Sequence, residues 1–128
     1  MPAVNQIELH PCNPSPKLVE FNKSKGIHCT AYSCLGSTDS PLYKNKELLA
    51  IAEAKGKTPQ QVLLLWNLQL GRSVIPKSVT ASRIKANREL DDASLTDEEL
   101  SKISAIKDRF KVCDGNFLPV PIFDGKDE

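Results

Sequence analysis

The sequence predicts an α/β fold with a parallel sheet, because short strand-like runs alternate along the chain with helix-like stretches. Three runs have strand character: VNQIELH (4–10), IHCTAYS (27–33) and SVIPK (73–77). Each is followed, directly or after a loop, by a helix-like stretch. Parallel strands joined by helical crossovers bring their carboxyl ends to one edge of the sheet, which is where such folds bind ligands.

The composition describes one ordinary domain with no general attraction for polyanions. The 128 residues carry 17 Lys+Arg against 16 Asp+Glu, a net charge of +1, which disfavours nucleic acid as a partner. No apolar stretch approaches the roughly 18 residues of a membrane span, and the start of the chain has no signal-peptide pattern. We therefore expect a cytoplasmic protein without membrane partners.

The four cysteines show no CxxC pair and no regular spacing, so we expect reduced thiols. They are Cys12, Cys29, Cys34 and Cys113. His10 together with Cys12 could begin a metal site, but no matching pair follows later in the chain. We therefore predict no metal centre and assign His10 a structural role.

The first strand ends at Pro11, and a helix is predicted to begin at Ser15-Pro16, with serine as the N-cap and proline in the first helical position. Gly26 ends that helix. A polar loop follows the second strand, and a further helix ends at Gly56.

The segment Thr58-Pro59-Gln60-Gln61 predicts a capping box that opens a helix. The body of this helix, VLLLWNLQL, is apolar nearly all round, which is typical of a helix buried against a sheet. Trp66 is therefore assigned to packing. Downstream, VTASRIKANREL (79–90) is predicted to form the helix after the third strand, and Thr96 with Glu99 forms a second capping box.

The junction between the third strand and its helix has the composition of a phosphate site. Lys77 and Ser78 follow the strand, and residues 80–83 are predicted to form the first helical turn, where backbone N–H groups and the dipole favour an anion. Arg83 and Asn87 share one helical face. A cation at this end of a helix interacts unfavourably with the dipole. The cost is about a few tenths of a kcal/mol for each cation unless an anion lies between them. The alternative is that these are solvated surface charges.

Four segments, in this order and spacing, resemble the C-terminal part of the aldo-keto reductase family: VNQIELHP, GIHCTAYSCLG, TPQQVLLLWNLQLG and VIPKSVTASRIKAN. The resemblance covers the chain from Ala3 to about Cys113. It implies a partial (β/α)8 TIM barrel, of which residues 3–92 form the last three βα units. Residues 93–109 would then form the C-terminal helix, and residues 110–128 the substrate loop and tail.

The resemblance also implies NADPH as cofactor. The adenosine 2′-phosphate would be held by four residues, Lys77, Ser78, Thr80 and Arg83, with Asn87 against the adenine. Ile75 and Val79 are expected to contact the cofactor in the same segment. Ala86 departs from the family pattern, since many members have an acidic residue there that contacts the adenine amino group.

At the other end of the cofactor, the resemblance assigns Gln6 to the nicotinamide carboxamide and Tyr32 to stacking on the nicotinamide ring. The loop over the pyrophosphate would be formed by Ser33, Leu35, Ser37 and Asp39, with Asp39 acting as a latch to a basic partner. Taken singly, Tyr32 could be a core aromatic, Gln6 a buried amide and Ser37 a turn residue.

The substrate pocket would be lined by Phe110 and Cys113, with Phe117, Pro119 and Pro121 adding stiff apolar material. The family reduces aldehyde or ketone carbonyls with a tyrosine as general acid, tuned by lysine and aspartate, and an orienting histidine. None of these four is matched here, so we expect no catalytic residue in the chain and no activity from it alone.

The expected partners are therefore a small carbonyl substrate and the missing N-terminal half of the barrel. Met1 falls where a full-length member continues through the loop before its sixth strand, which indicates a truncated product or an incomplete gene model. The alternative function is a truncated, non-catalytic module that binds NADPH or a partner protein.

Overall fold

The computed structural model of the chain describes residues 1–115 and 118–119. Three parallel strands form one sheet in the order β1-β2-β3, with β1 at Val4–Glu8, β2 at His28–Tyr32 and β3 at Ser73–Val74. Glu8 is paired in register with Tyr32, so the carboxyl ends of β1 and β2 lie side by side. The parallel α/β arrangement predicted from the sequence is confirmed.

Helices connect and flank these strands. They are α1 (Pro16–Ser24), α2 (Lys46–Lys55), α3 (Pro59–Gln69), α4 (Ala81–Arg88) and α5 (Asp97–Ser104), with a short 3-10 helix at Pro41–Lys44 before α2. Both predicted capping boxes are present: Thr58 accepts a hydrogen bond from the Gln61 amide and Thr96 from the Glu99 amide.

The third strand is shorter than predicted. The run 73–77 forms a strand only at Ser73–Val74. The Ile75 amide still donates to the Ala31 carbonyl at 3.2 Å, but no strand pairing continues beyond Val74. Residues 75–80 form no helix or strand, and the helix predicted over 79–90 begins only at Ala81.

The predicted side-chain cap at Ser15 is wrong. Ser15 occupies the N-cap position of α1, but its backbone is left-handed, with φ of 40°, and its side chain makes no capping hydrogen bond. Pro16 in the first helical position has no N–H that needs a partner, so the helix starts without the cap. The first two strands are also shorter than the predicted runs 4–10 and 27–33. β1 begins at Val4 as predicted but ends at Glu8, and β2 is one residue shorter at each end.

One face of the sheet packs on the helices. Ile7, Cys29, Ala31 and Val74 contact a core supplied mainly by α3, whose residues 61–67 are all buried. Trp66 is 1% exposed and donates to the Ser104 hydroxyl at 3.0 Å, which confirms its packing role.

All four cysteines are free thiols; three are buried and Cys113 is exposed. Within residues 1–115 and 118–119 there is no group of three or more His, Cys, Asp and Glu side chains that could hold a metal ion. None of the helices in that part of the chain combines the length and apolar character needed to cross a bilayer.

Candidate functional site

The second face of the sheet carries polar side chains and is not covered by any helix of the described residues. Because side chains alternate along a strand, Gln6 and Glu8 of β1 share this face with Thr30 and Tyr32 of β2. Gln6 is exposed, and its carboxamide has no hydrogen-bond partner among the described residues. It is therefore available to a ligand, and the interpretation of Gln6 as a buried, satisfied amide is wrong.

A row of hydroxyls continues across this face to the edge strand. The Ser73 hydroxyl lies 2.7 Å from the Thr30 hydroxyl and 2.9 Å from Nε2 of His28. The sequence reasoning did not single out Thr30 or Ser73. Their alternation with buried residues was a usable signal, since Thr30 lies between Cys29 and Ala31, which face the core.

At the carboxyl ends of β1 and β2, the Glu8 carboxylate collects three donors. Its Oε1 accepts from the Val112 amide at 2.6 Å and lies 2.9 Å from His10 Nε2. Its Oε2 accepts from the Cys113 amide at 2.9 Å. Burial by itself would raise the pKa of Glu8, but these hydrogen bonds outweigh it and hold the pKa below its ordinary value. Glu8 was not a predicted site residue.

Tyr32 lies beside this network and is half-buried. Its pKa is raised, first by burial and then by the Cys113 and Glu8 side chains. Tyr32 is thus not a core aromatic: it lies on the same face as Glu8, whose carboxylate accepts from the Cys113 amide. Gln6 lies on this face as well, two residues before Glu8 in β1.

The other predicted substrate residue lies differently. Phe110 packs partly buried against the core, and its amide donates to the Cys12 carbonyl at 3.1 Å. Pro119 is exposed. Phe117 and Pro121 lie outside the described residues, as does most of the predicted tail 110–128.

The loop after β2 has a fixed shape. Ser33 and Ser37 are left-handed, with φ of 46° and 65°, so Ser37 is indeed a turn residue. A Cβ on Gly36, which has φ of +70°, would lie 3.0 Å from both Leu42 Cδ1 and Ser40 Oγ, so only glycine fits there.

The same loop is held from behind by Tyr43, whose hydroxyl donates to the Leu35 carbonyl at 2.6 Å. Burial raises the pKa of Tyr43 to about 12, so the donor proton stays in place at neutral pH. Leu35 and Ser33 are half-buried, whereas Ser37 and Asp39 are exposed at the outer part of the loop.

The start of α4 is open to solvent. Thr80 is its N-cap residue but its side chain makes no capping hydrogen bond. The Ser78 hydroxyl instead accepts from the Thr80 amide at 3.2 Å, which tightens the turn before the helix. By contrast, α2, α3 and α5 each have a side-chain cap. The first amides of α4 therefore have no side-chain acceptor.

The cations near this helix start are also uncompensated. Lys77 and Arg83 are exposed, and neither has an ion-pair partner within the described residues. Farther along α4, the pattern is different: Lys85 pairs with Glu89 at 3.6 Å and Arg88 with Asp91 at 3.1 Å. The two cations nearest the positive end of the dipole are thus the ones that have no carboxylate.

A cleft of about 570 Å³ lies beside this site, between the end of β3 and α4. Predicted site residues Ser78 and Asn87 line it, but Lys77 and Arg83 do not. The remaining lining is mostly apolar, from Leu68, Val74, Pro76, Ile84 and Leu90, with Arg88 and Asp91 at the rim. Ile75 and Val79 are exposed on the same connection, Val79 by 84%.

The far end of α4 is tied to α3. The buried Gln61 side chain donates to the carbonyls of Ala86 at 3.0 Å and Glu89 at 3.2 Å, and its oxygen accepts from the Thr58 amide at 3.1 Å. Gln61 therefore caps one helix and fixes the orientation of the next. The sequence predicted the first role; the second depends on tertiary packing and has no local signal.

Comparison with known proteins agrees with the family resemblance of the sequence. The model of the aldo/keto reductase family matches residues 1–108. The chain is 44% identical over 123 residues to glycerol 2-dehydrogenase (NADP(+)) of Saccharomyces cerevisiae, covering 95% of this chain and 39% of that protein. It is 50% identical over 104 residues to D-galacturonate reductase of Hypocrea jecorina, covering 81% of this chain and 33% of that protein.

Among solved structures, an aldose reductase from Giardia lamblia superposes with a TM-score of 0.87 at 40% identity. The alignment covers 96% of this chain and 44% of that one. The chain thus spans less than half the length of each of these relatives.

Proposed function

The chain belongs to the aldo/keto reductase family, and from this premise we propose that its residues form the NADPH-binding part of a reductase of aldehyde or ketone carbonyls. The observation that carries the proposal is the start of α4, where uncapped amides lie beside two unpaired cations. A helix N-terminus of this kind binds phosphate. The 2′-phosphate of NADPH would be the anion that these amides and cations bind.

The individual roles follow from chemistry. Arg83 offers a planar donor set suited to a phosphate, and Lys77 a compact charge. The Ser78 and Thr80 hydroxyls add neutral donors beside them. Asn87, half-buried on the next turn of α4, is proposed to contact the adenine. Ala86 is not acidic, and Asn87 is a neutral polar side chain of this turn that lines the cleft.

The uncovered face of the sheet supports the proposed binding of the nicotinamide end of the cofactor. The free carboxamide of Gln6 can donate and accept at once, which matches the nicotinamide amide. Tyr32, two residue pairs farther along the strands, lies on the same face of the sheet. The loop 33–39, fixed by Gly36 and Tyr43, lies after Tyr32 in the chain and is proposed to cover the pyrophosphate.

When bound, NADPH supplies a hydride to the carbonyl carbon, and a proton completes the alcohol while NADP⁺ is left. The residues of this chain bind and orient the cofactor and exclude water from one side of it. The proposal assigns the proton donor to sequence outside these residues, since the Tyr43 hydroxyl already donates to the Leu35 carbonyl and Tyr32 is assigned to stacking on the nicotinamide ring.

We also propose that strands from outside these residues pair with β1 and β3, which are the two edges of the sheet in the described part of the chain. Exposed apolar side chains lie near each edge: Val4 is 51% exposed and Ile75 48%. Unpaired edges of this kind are covered in stable proteins. The greater length of the relatives supports a barrel partner of several strands.

The test uses the complete polypeptide that contains these residues. NADPH and NADH are each titrated by fluorescence, and oxidation of each is then followed by absorbance with 4-nitrobenzaldehyde as probe. We expect tight NADPH binding, weaker NADH binding and NADPH oxidation that depends on the aldehyde. Binding without turnover would identify the alternative, a non-catalytic NADPH-binding module. Equal or absent binding of the two cofactors would overturn the proposal.

A further inference from the structure

Glu8 is an unusual residue for its position. It is 3% exposed at the carboxyl end of β1, on the face of the sheet that faces away from the helices. The β1–β2 ladder is formed by backbone groups and does not require a carboxylate there. A buried carboxylate is unfavourable unless donors satisfy it, so its presence points to the groups it binds.

Those groups come from far along the chain. Val112 and Cys113, which donate their amides to Oε1 and Oε2, are 104 and 105 residues from Glu8. Residues 110–115 form no helix or strand of their own. The Phe110 amide bond to Cys12 and the two bonds to Glu8 hold this backbone at the end of the sheet.

His10 fixes the orientation of the carboxylate. Nε2 lies 2.9 Å from Glu8 Oε1, and because the carboxylate can only accept, Nε2 carries the proton. The ring is fully buried, and Nδ1 has no hydrogen-bond partner in the part of the chain that the structure describes. Within the described residues, the ring therefore binds only the carboxylate. The two carboxylate oxygens accept from the Val112 and Cys113 amides.

The result of this tether is that the segment 112–113 lies at the Tyr32 end of the strand pair. Glu8 and Tyr32 are paired in register, so their side chains lie on the same face of the sheet. The Val112 and Cys113 amides, which both bind the Glu8 carboxylate, are therefore held beside Tyr32. Burial raises the pKa of Tyr32, and the Cys113 and Glu8 side chains raise it further, as this proximity requires.

From this geometry we propose that Glu8 is a positioning residue, which holds Val112 and Cys113 as one wall of the substrate pocket beside Tyr32. The inference rests on the proposed function for the identity of the pocket, but the tether itself does not. Glu8 acts through the segment and does not touch the reacting atoms.

Two variants test the tether from its two sides in the complete polypeptide. Glu8→Gln removes the charge and one acceptor oxygen. Val112→Pro removes one donor from a position that is 37% exposed and leaves the strand intact. Glu20→Gln, at an exposed position of α1, is the matched control. Amide hydrogen exchange at Cys113 is measured by NMR, with Ala31 in β2 as the reference for global stability.

We expect both variants to speed exchange at Cys113 by roughly tenfold or more, the effect of losing a charge-assisted hydrogen bond, with Ala31 unchanged in Val112→Pro. In the double variant, the effects should not add, because they remove the same tether. Unchanged exchange at Cys113 in both single variants would overturn the tether, whatever the activity.

The positioning role is tested by steady-state kinetics with NADPH and 4-nitrobenzaldehyde. We expect KM for the aldehyde to rise at least threefold in Val112→Pro while kcat changes less than twofold, since the wall affects binding and not the chemical step. Faster exchange with an unchanged KM would overturn the positioning role. A wild-type protein without turnover would contradict the proposed function, while the exchange experiment would still decide the tether.

Discussion

The two cations at the start of α4 should decide between NADPH and NADH. Lys77→Met and Arg83→Ala each remove one charge-assisted contact to the 2′-phosphate, a loss of about 1.5 to 3 kcal/mol. At 1.4 kcal/mol per tenfold, NADPH should bind roughly 10- to 150-fold more weakly. NADH has no 2′-phosphate, so its affinity should change less than twofold.

The stability of the protein should hardly change, because both side chains are exposed and have no ion-pair partner among the described residues. Surface substitutions of this kind alter the free energy of unfolding by about 0.5 kcal/mol or less. A loss of NADPH affinity in a variant with unchanged melting temperature therefore reports on the site and not on folding.

The matched control lies on the same helix and outside the cleft. Lys85→Met removes a cation that already has a carboxylate partner, Glu89. Fluorescence titration at low ionic strength should show an NADPH affinity within twofold of wild type for this variant. The reasoning would be refuted if Lys77→Met and Arg83→Ala behaved like this control, or if NADH weakened as much as NADPH.

Three further predictions follow from the supporting structure. Gln61→Ala removes the buried amide that joins α3 to the carbonyls of Ala86 and Glu89, and chemical denaturation should show a loss of about 1 to 3 kcal/mol; an unchanged midpoint would contradict this role. Gly36→Ala places a Cβ 3.0 Å from two side-chain atoms in a backbone with φ of +70°, so its melting temperature should fall, whereas an equal or higher value would show that the loop relaxes. The lowered pKa of Glu8 makes its contribution to stability complete above its ordinary pKa of 4.5 and lost as the pH falls through the lower, folded value. The stability gap between wild type and Glu8→Gln should therefore narrow as the pH falls below 4.5, and a gap that is constant from pH 7 to pH 3 would count against it.

Local signals predicted much of the fold correctly. The capping boxes at Thr58 and Thr96 each depend on two residues three positions apart, and both formed as predicted. Ser15 has the residue type of an N-cap followed by proline, but its backbone is left-handed and its side chain makes no capping hydrogen bond. A cap requires a backbone approach as well as a residue type.

Strand length was predicted less well. The run 73–77 is predicted as one strand. The pairing ends at Val74, and the residues after it form the connection that carries Lys77 and Ser78. The predicted strand is therefore three residues too long.

The candidate site residues were predictable where they are close together in the sequence, and not where the fold brings distant residues together. Lys77, Ser78, Thr80 and Arg83 lie within seven positions, so their pattern is visible in the sequence. The network at Glu8 joins residues more than 100 positions apart. The only local hint was an acidic residue and a histidine two positions apart in a strand, where period two places both side chains on one face.

The most direct measurement is the response of the α4 amides to a phosphate at the 2′ position. The complete polypeptide is titrated with 2′-AMP and, separately, with 5′-AMP, while NMR follows the amides of Ala81, Ser82 and Arg83. Saturable shifts at these three amides, with 2′-AMP binding at least tenfold more tightly than 5′-AMP, are what the account predicts. Shifts that are absent there, or equal for the two nucleotides, would contradict it.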